Sequence, residues 1–127
     1  MKTLTLCVTY HAKPGMRDAF IREVFAGGVL DEIRREDGCI SYQYFFNAEN
    51  DDQILLLEKW FSEDHQKAHM KQPHMDILMT IKNRYIKDVT IERFCQIQET
   101  RRLSLFGKFE FADTSLPCYE ILKNSEK

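Results

Sequence analysis

The residues best suited to acid and base chemistry are concentrated in one short segment, EKWFSEDHQKAHMKQPH, which runs from Glu58 to His74. It contains the only tryptophan of the chain, Trp60, and three of its four histidines, His65, His69 and His74. Histidine is the side chain whose charge ordinarily changes near neutral pH. The segment is therefore typical of a site that moves a proton.

The helical part of this segment has a mostly polar side. On a helical wheel that side carries Phe61, His65, Ala68, His69 and Gln72. A helix that turns histidines and a small alanine toward a sheet makes a poor core but a good pocket wall. We predict that His69 is the general base of such a pocket.

Glu58 and Trp60 are two positions apart at the end of a predicted strand, so their side chains project from the same face of the sheet. We predict that Trp60 is a wall against which an aromatic ring packs, and that Glu58 orients His69 and fixes its tautomer. The predicted catalytic residues are thus His69, Glu58 and Trp60. The predicted substrate-binding residues are His65, His74, His11 and Tyr42.

Each of these residues also has a structural interpretation. A histidine on an inward helix face is more often a hydrogen-bonded structural residue than a catalyst, and for His65 and His74 that interpretation leads. A tryptophan such as Trp60 is found in a core as often as in a pocket wall. Glu58 could pair with a lysine on the surface. His65 and His69 have the i, i+4 spacing of helical metal sites, but spacing supplies no third ligand, so we predict no metal.

The elements that position these residues follow from the hydrophobic pattern. Alternating or β-branched segments predict strands at residues 3–10, 39–47, 53–61 and 87–97. Apolar residues at helical spacing predict a helix from Phe20 to about Arg35, interrupted by Gly27 and Gly28.

Two shorter helices are predicted around Pro73. Ser62 is a good N-cap for the first, which Pro73 ends or kinks. Pro73 can in turn begin the second, whose apolar stripe is Ile77, Leu78, Ile81 and Tyr85.

This order of elements is typical of an α+β fold, a ferredoxin-like βαββαβ unit with the helices on one face of a four-stranded antiparallel sheet. The segment QILLL, residues 53–57, is apolar on both faces, so we expect a second copy of the chain to cover the other face. We assign residues 1–98 to this domain and 99–127 to a C-terminal extension. That extension is predicted to be a strand and an apolar arm, in which Phe109, Phe111 or Tyr119 could act as a lid.

Composition limits the function classes. The chain has 127 residues, 43% of them hydrophobic and 30% charged, as in a folded globular domain. Its net charge of −2 comes from interspersed acids and bases, which argues against nucleic acid as a partner. We see no signal peptide and no window near the roughly 20 apolar residues of a membrane span, and we predict a cytoplasmic protein without a membrane partner. The four cysteines are widely spaced and predict neither zinc nor redox chemistry.

Four motifs in order carry a family resemblance: KPG (13–15), EDGCISY (36–42), LEKW (57–60), and two histidines five positions apart with proline before the second (69–74). Together they resemble the antibiotic biosynthesis monooxygenase family over about residues 1–98. The resemblance implies a dimeric α/β barrel with a pocket between sheet and helices in each subunit. Some of its members act without a metal or an organic cofactor, and we predict no cofactor for this chain.

Family members include cofactor-independent oxygenases of phenols or quinols, haem-degrading enzymes, and isomerases of a phosphorylated signal metabolite. Oxygenation without a cofactor requires an electron-rich substrate anion, so a base, a holder for the anion and a dry cleft are needed. We predict a cofactor-independent monooxygenase acting on a small phenol, quinol or enol with dioxygen. The alternatives are an isomerase of a small carbonyl metabolite and a non-catalytic binding module. The haem-degrading relatives resemble each other in an asparagine on the first strand, which TLTLCVTYHA lacks.

Overall fold

A computed structural model describes residues 2–96, 102–103 and 109–110 of the chain. The elements are β1 (Thr3–Ala12), α1 (Arg17–Ala26), α2 (Val29–Arg34), β2 (Cys39–Phe46), β3 (Gln53–Trp60), α3 (Glu63–Met70), α4 (Met75–Tyr85), β4 (Ile86–Gln96), β5 (Arg102–Leu103) and β6 (Phe109–Glu110).

The first four strands form one antiparallel sheet in the order β2-β3-β1-β4. This is the strand order of a ferredoxin-like unit, and the predicted α+β fold is confirmed. In the register of β1 against β3, Leu6 lies opposite Glu58 and Leu4 lies opposite Trp60. The two predicted site residues of β3 are therefore on a central strand rather than at an edge.

The predicted long helix is divided at its glycine pair. Gly28 has a φ of 74°, a left-handed conformation that glycine adopts readily, and it separates α1 from α2. The second predicted break lies around Pro73, because α3 ends at Met70 and α4 begins at Met75 with His74 as its N-cap. Pro73 thus precedes the helix that it was predicted to begin.

The helices pack on one face of the sheet. Alternate residues of β1, from Leu4 to Ala12, are buried on this face, and Leu6, Val8 and Tyr10 share a single core cluster with Phe20 of α1 and Leu78 of α4. Alternation with period two is what a sheet with one covered face requires. On the opposite face the side chains of Phe45 and Phe94 remain 46% and 49% exposed.

The chain divides into two units, Met1–Ile97 and Gln98–Lys127. In the second unit β5 pairs antiparallel with β6. Phe111, Tyr119 and the predicted arm lie outside the described residues. Within the described ranges, no helix is both long enough and apolar enough to span a membrane.

Candidate functional site

His69 is held by a carboxylate that lies 33 positions earlier in the chain. Its Nδ1 atom is 3.0 and 2.9 Å from the two carboxylate oxygens of Glu36, which follows α2. A carboxylate only accepts hydrogen bonds, so Nδ1 carries the proton and Nε2 carries the lone pair. None of the described residues forms a hydrogen bond with Nε2. His69 is thus fixed in the tautomer that a general base needs.

The inward stripe of α3 differs from the one that the helical wheel predicted. Its buried residues are Gln66 and His69, whereas Ala68 and Phe61 are exposed. A wheel gives the angles between side chains, but the packing of the helix decides which angle faces the sheet. Because α3 buries only two polar side chains, it contributes little apolar contact to the core.

Two aromatic rings lie beside His69. Its ring lies 4.6 Å from the centroid of Trp60 at an interplanar angle of 34°, and 5.8 Å from that of Tyr42. Both aromatic side chains are buried. The structure therefore brings together His69, Trp60 and Tyr42, in surroundings that exclude water.

Glu58 lies in the same buried region, but its role in positioning His69 was predicted incorrectly. The indole Nε1–H of Trp60 donates to Glu58 Oε1 at 3.0 Å, while His69 is oriented by Glu36. Burial raises the pKa of Glu58, and the bond from Trp60 and the nearby His69 offset part of that rise. Glu58 and Trp60 do project from the same buried face of β3, because side chains alternate along a strand.

His74 extends the site toward solvent. Its Nε2 atom lies 2.7 Å from Glu36 Oε2, and its Nδ1 atom lies 3.2 Å from Glu32 Oε2. We call Glu32, Glu36, His69 and His74 the acid–histidine cluster. Sequence reasoning missed both glutamates, although Glu36 begins the EDGCISY motif.

The structure does not bring His65 to this cluster. Its Nδ1 atom lies 2.6 Å from Ser62 Oγ and its Nε2 atom 3.4 Å from Asp37 Oδ2, so it belongs to the N-cap of α3. The imidazole also covers Gly38, where φ is 82° and an added Cβ would collide with the ring. This contact explains why a glycine stands in the turn before β2.

His11 is also outside the cluster, because alternation along β1 turns it to the sheet face away from the helices. Its nearest polar partners are Gln53, at 3.4 Å, and Asp88, at 3.8 Å. The prediction that His11 approaches the cavity was wrong for this reason.

A second polar region, which sequence reasoning missed apart from Glu58 and Tyr42, lies on the helix-covered face of the sheet. We call it the tyrosine–lysine region; it consists of Tyr10, Tyr42, Tyr44, Glu58 and Lys82. The ammonium of Lys82 lies 5.2 Å from the Tyr10 ring, and burial lowers the pKa of Lys82 while Glu58 opposes the change. Burial raises the pKa of Tyr10 and Tyr42 well above the ordinary tyrosine value.

The Tyr44 hydroxyl is buried and has no hydrogen-bond partner in the described part of the chain. Burial raises the pKa of Tyr44. The Tyr42 ring lies beside the Tyr44 ring, with centroids 5.9 Å apart in an edge-to-face arrangement, but the Tyr44 hydroxyl remains unsatisfied within the described ranges.

No group of three or more metal-ligating side chains in the described ranges is arranged to hold a metal ion. His65 and His69, which have helical metal-site spacing, bind different carboxylates.

A family comparison covers the part of the chain that holds the acid–histidine cluster. The model of the antibiotic biosynthesis monooxygenase family matches residues 3–77, which is more than half of the chain. The chain belongs to this family. The matched range contains the whole acid–histidine cluster, whereas Lys82 of the tyrosine–lysine region lies beyond it.

Solved structures share the fold. PA3566 from Pseudomonas aeruginosa is 23% identical with a TM-score of 0.68, covering 76% of this chain and 96% of that one. Rv0793 from Mycobacterium tuberculosis is 20% identical with a TM-score of 0.66, covering 76% and 97%. A structure described as an antibiotic biosynthesis monooxygenase is 18% identical with a TM-score of 0.64, covering 74% and 98%. At such identities these structures support the family fold alone. No curated protein matches the sequence.

Proposed function

We propose that this member of the antibiotic biosynthesis monooxygenase family is a homodimeric enzyme that oxidises a small phenol, quinol or similarly acidic enol with dioxygen, without a metal or an organic cofactor. The observation that carries the proposal is the buried His69, whose Nδ1 is held by Glu36 at 2.9 Å and whose Nε2 has no partner among the described residues. A fixed tautomer with a free lone pair is what a general base requires.

His69 Nε2 takes the proton of the substrate hydroxyl, and the resulting anion is electron-rich enough to reduce dioxygen. The substrate supplies the electrons, so no redox group of the protein takes part. Glu36 stabilises the imidazolium that forms, since it already accepts the Nδ1–H bond. The same base could move a proton between carbons of an enol, which keeps isomerisation as the alternative reaction.

Trp60 and Tyr42 supply the apolar surface against which an aromatic substrate packs. The neighbouring Tyr44 hydroxyl and the ammonium of Lys82 lack hydrogen-bond partners in the described residues, so a substrate oxygen would gain two donors there. Since His69 is buried, substrate entry requires α3 to move outward. That movement breaks little apolar contact made by α3 itself, which buries only Gln66 and His69, and it uncovers Trp60 and Tyr42 for the substrate.

The homodimer is proposed from the sheet face away from the helices. Phe45, Leu55 and Leu57 lie on this face with Phe94, and two of the four are nearly half exposed. An apolar sheet face of this kind is stable when another layer covers it. Sedimentation of the full chain should give a dimer, and Leu57→Glu should give a monomer. A wild-type monomer would contradict the proposal.

The test of the activity is oxygen uptake with a panel of quinols and catechols in metal-free buffer. We expect His69→Ala to lower the rate about a hundredfold, the scale of a lost general base. His65→Ala is the matched control, because it removes a histidine from the same helix without touching the acid–histidine cluster.

Wild-type uptake at the spontaneous rate for the whole panel would overturn the oxygenase proposal. Exchange of a carbon-bound substrate proton with solvent, lost in His69→Ala, would then indicate an isomerase. Saturable binding of an aromatic without either reaction would indicate a binding module.

A further inference from the structure

One carboxylate joins the two histidines of the acid–histidine cluster. Glu36 Oε2 lies 2.9 Å from Nδ1 of His69 and 2.7 Å from Nε2 of His74. An atom that accepts from both rings couples their protonation, because a charge on one ring changes the cost of a charge on the other. His69 and His74 therefore form a pair rather than two independent groups.

The cluster runs from the interior to the surface. The exposed fraction of the side chains rises from 1% for His69 to 8% for Glu36, 12% for His74 and 59% for Glu32. Neighbouring members are linked by distances of 2.9, 2.7 and 3.2 Å. The buried base is thus connected to a carboxylate that water reaches freely.

The geometry favours one distribution of the protons. Nε2 of His74 is hydrogen-bonded to Glu36 and Nδ1 makes an ion-pair contact with Glu32, so carboxylate oxygens face both ring nitrogens and favour the cationic ring. His69 carries one proton, on Nδ1. The other polar or aromatic groups that face His69 are Glu58, Trp60 and Tyr42, and no positive side chain among the described residues hydrogen-bonds to it.

We propose that His74 is the proton-exchange partner of His69, releasing a proton to solvent by way of Glu32 when His69 takes one from a substrate. One substrate O–H bond breaks and one N–H bond forms at His69 Nε2. One N–H bond breaks at His74 Nδ1, and that proton passes to Glu32 and then to water. No electron moves, and the net charge of the buried cluster is unchanged.

This arrangement avoids two cationic rings on one carboxylate. Without the release, His69 and His74 would both be charged beside Glu36, and like charges this close disfavour one another. The substrate step rests on the proposed function, but the resting proton positions do not. The two can therefore fail separately.

The first experiment measures the imidazole nitrogens of the full-length protein by ¹⁵N NMR at pH 7, with His65→Ala to assign one ring. We expect two protonated nitrogens on His74 and one, Nδ1, on His69. In Glu32→Gln, His74 should lose its Nδ1 proton. A neutral His74 or an Nε2-protonated His69 in the wild type would overturn the proposal, whatever the enzyme turns over.

The second experiment measures kcat and KM of His74→Gln with the quinol that the wild type oxidises fastest. We expect kcat to fall about tenfold with KM unchanged, less than for a lost base, and added imidazole buffer to restore the rate. A merely structural role for His74 would not be rescued by a buffer. Loss of rate without rescue would overturn proton exchange while leaving the base assignment of His69 intact.

Discussion

Two polar regions lie beneath the helices of this protein, and they differ in how their polar atoms are satisfied. In the acid–histidine cluster, every carboxylate faces an imidazole within 3.2 Å. In the tyrosine–lysine region, Trp60 donates to Glu58, but the Tyr44 hydroxyl has no partner in the described ranges and Lys82 faces an aromatic ring. The contacts of the first region stabilise charged side chains, whereas the second region offers a polar ligand hydrogen bonds that the described residues themselves do not make.

Burial alone does not identify a functional group. The His69 ring and the Tyr44 hydroxyl are both buried, but removing the partner of a hydrogen-bonded group destabilises the fold, whereas a group without a partner already lowers stability in the native state. Groups with a hydrogen-bond partner stabilise the site, and groups without one can gain a hydrogen bond from a ligand.

Removing the shared carboxylate should have the largest effect on stability. Glu36→Leu leaves His69 buried without a partner and should lower the free energy of unfolding by about 3 kcal/mol. Urea unfolding at pH 7 measures the change. Glu32→Gln is the control at the exposed end of the cluster and should change stability by less than about 1 kcal/mol. Equal losses in the two variants would mean that the buried and the exposed carboxylates of the cluster contribute alike to stability.

Trp60→Phe should have the next largest effect. Phenylalanine retains an aromatic ring beside His69 but cannot donate to Glu58, whose buried carboxylate is then left without its 3.0 Å bond. We expect a loss of about 2 kcal/mol by urea unfolding. A loss below about 0.5 kcal/mol would mean that the bond contributes nothing to the tyrosine–lysine region.

Glu58→Gln should change how stability depends on pH. Because burial raises the pKa of Glu58 above the ordinary 4.5, the unfolded chain loses this proton first as pH rises. The contribution of Glu58 to stability is therefore present below pH 4.5 and declines from there up to the folded pKa. Between pH 4 and pH 7, the free energy of unfolding should decline less in the variant than in the wild type. Parallel profiles would contradict a raised pKa.

Tyr44→Phe should have the smallest effect. Deleting a buried hydroxyl that has no partner should leave stability within about 0.5 kcal/mol of the wild type or raise it slightly. The variant should nevertheless bind a phenol more weakly, as measured by calorimetric titration. A loss above about 1 kcal/mol would mean that the hydroxyl is satisfied and that the two regions are alike.

The sheet and part of the site could be predicted from the sequence because they depend on local spacing. Alternation along β1 and β3 predicts the buried face, and hence that Glu58 and Trp60 are neighbours. Glu36 could not be found in this way, since its contact with His69 joins positions 33 apart through the packing of α3 on the turn after α2. Lys82 was missed because a lysine beside an apolar helix stripe is usually solvated, whereas here it is largely buried.

A double-variant cycle of oxygen uptake tests most directly whether Glu36 acts through His69. Rates would be measured for wild type, Glu36→Gln, His69→Ala and the double variant with the best quinol. If Glu36 only orients and stabilises His69, the double variant should be no slower than His69→Ala alone, so the two losses are strongly non-additive. If the two rate losses multiply in the double variant, Glu36 acts on the substrate independently, which would contradict a role through His69.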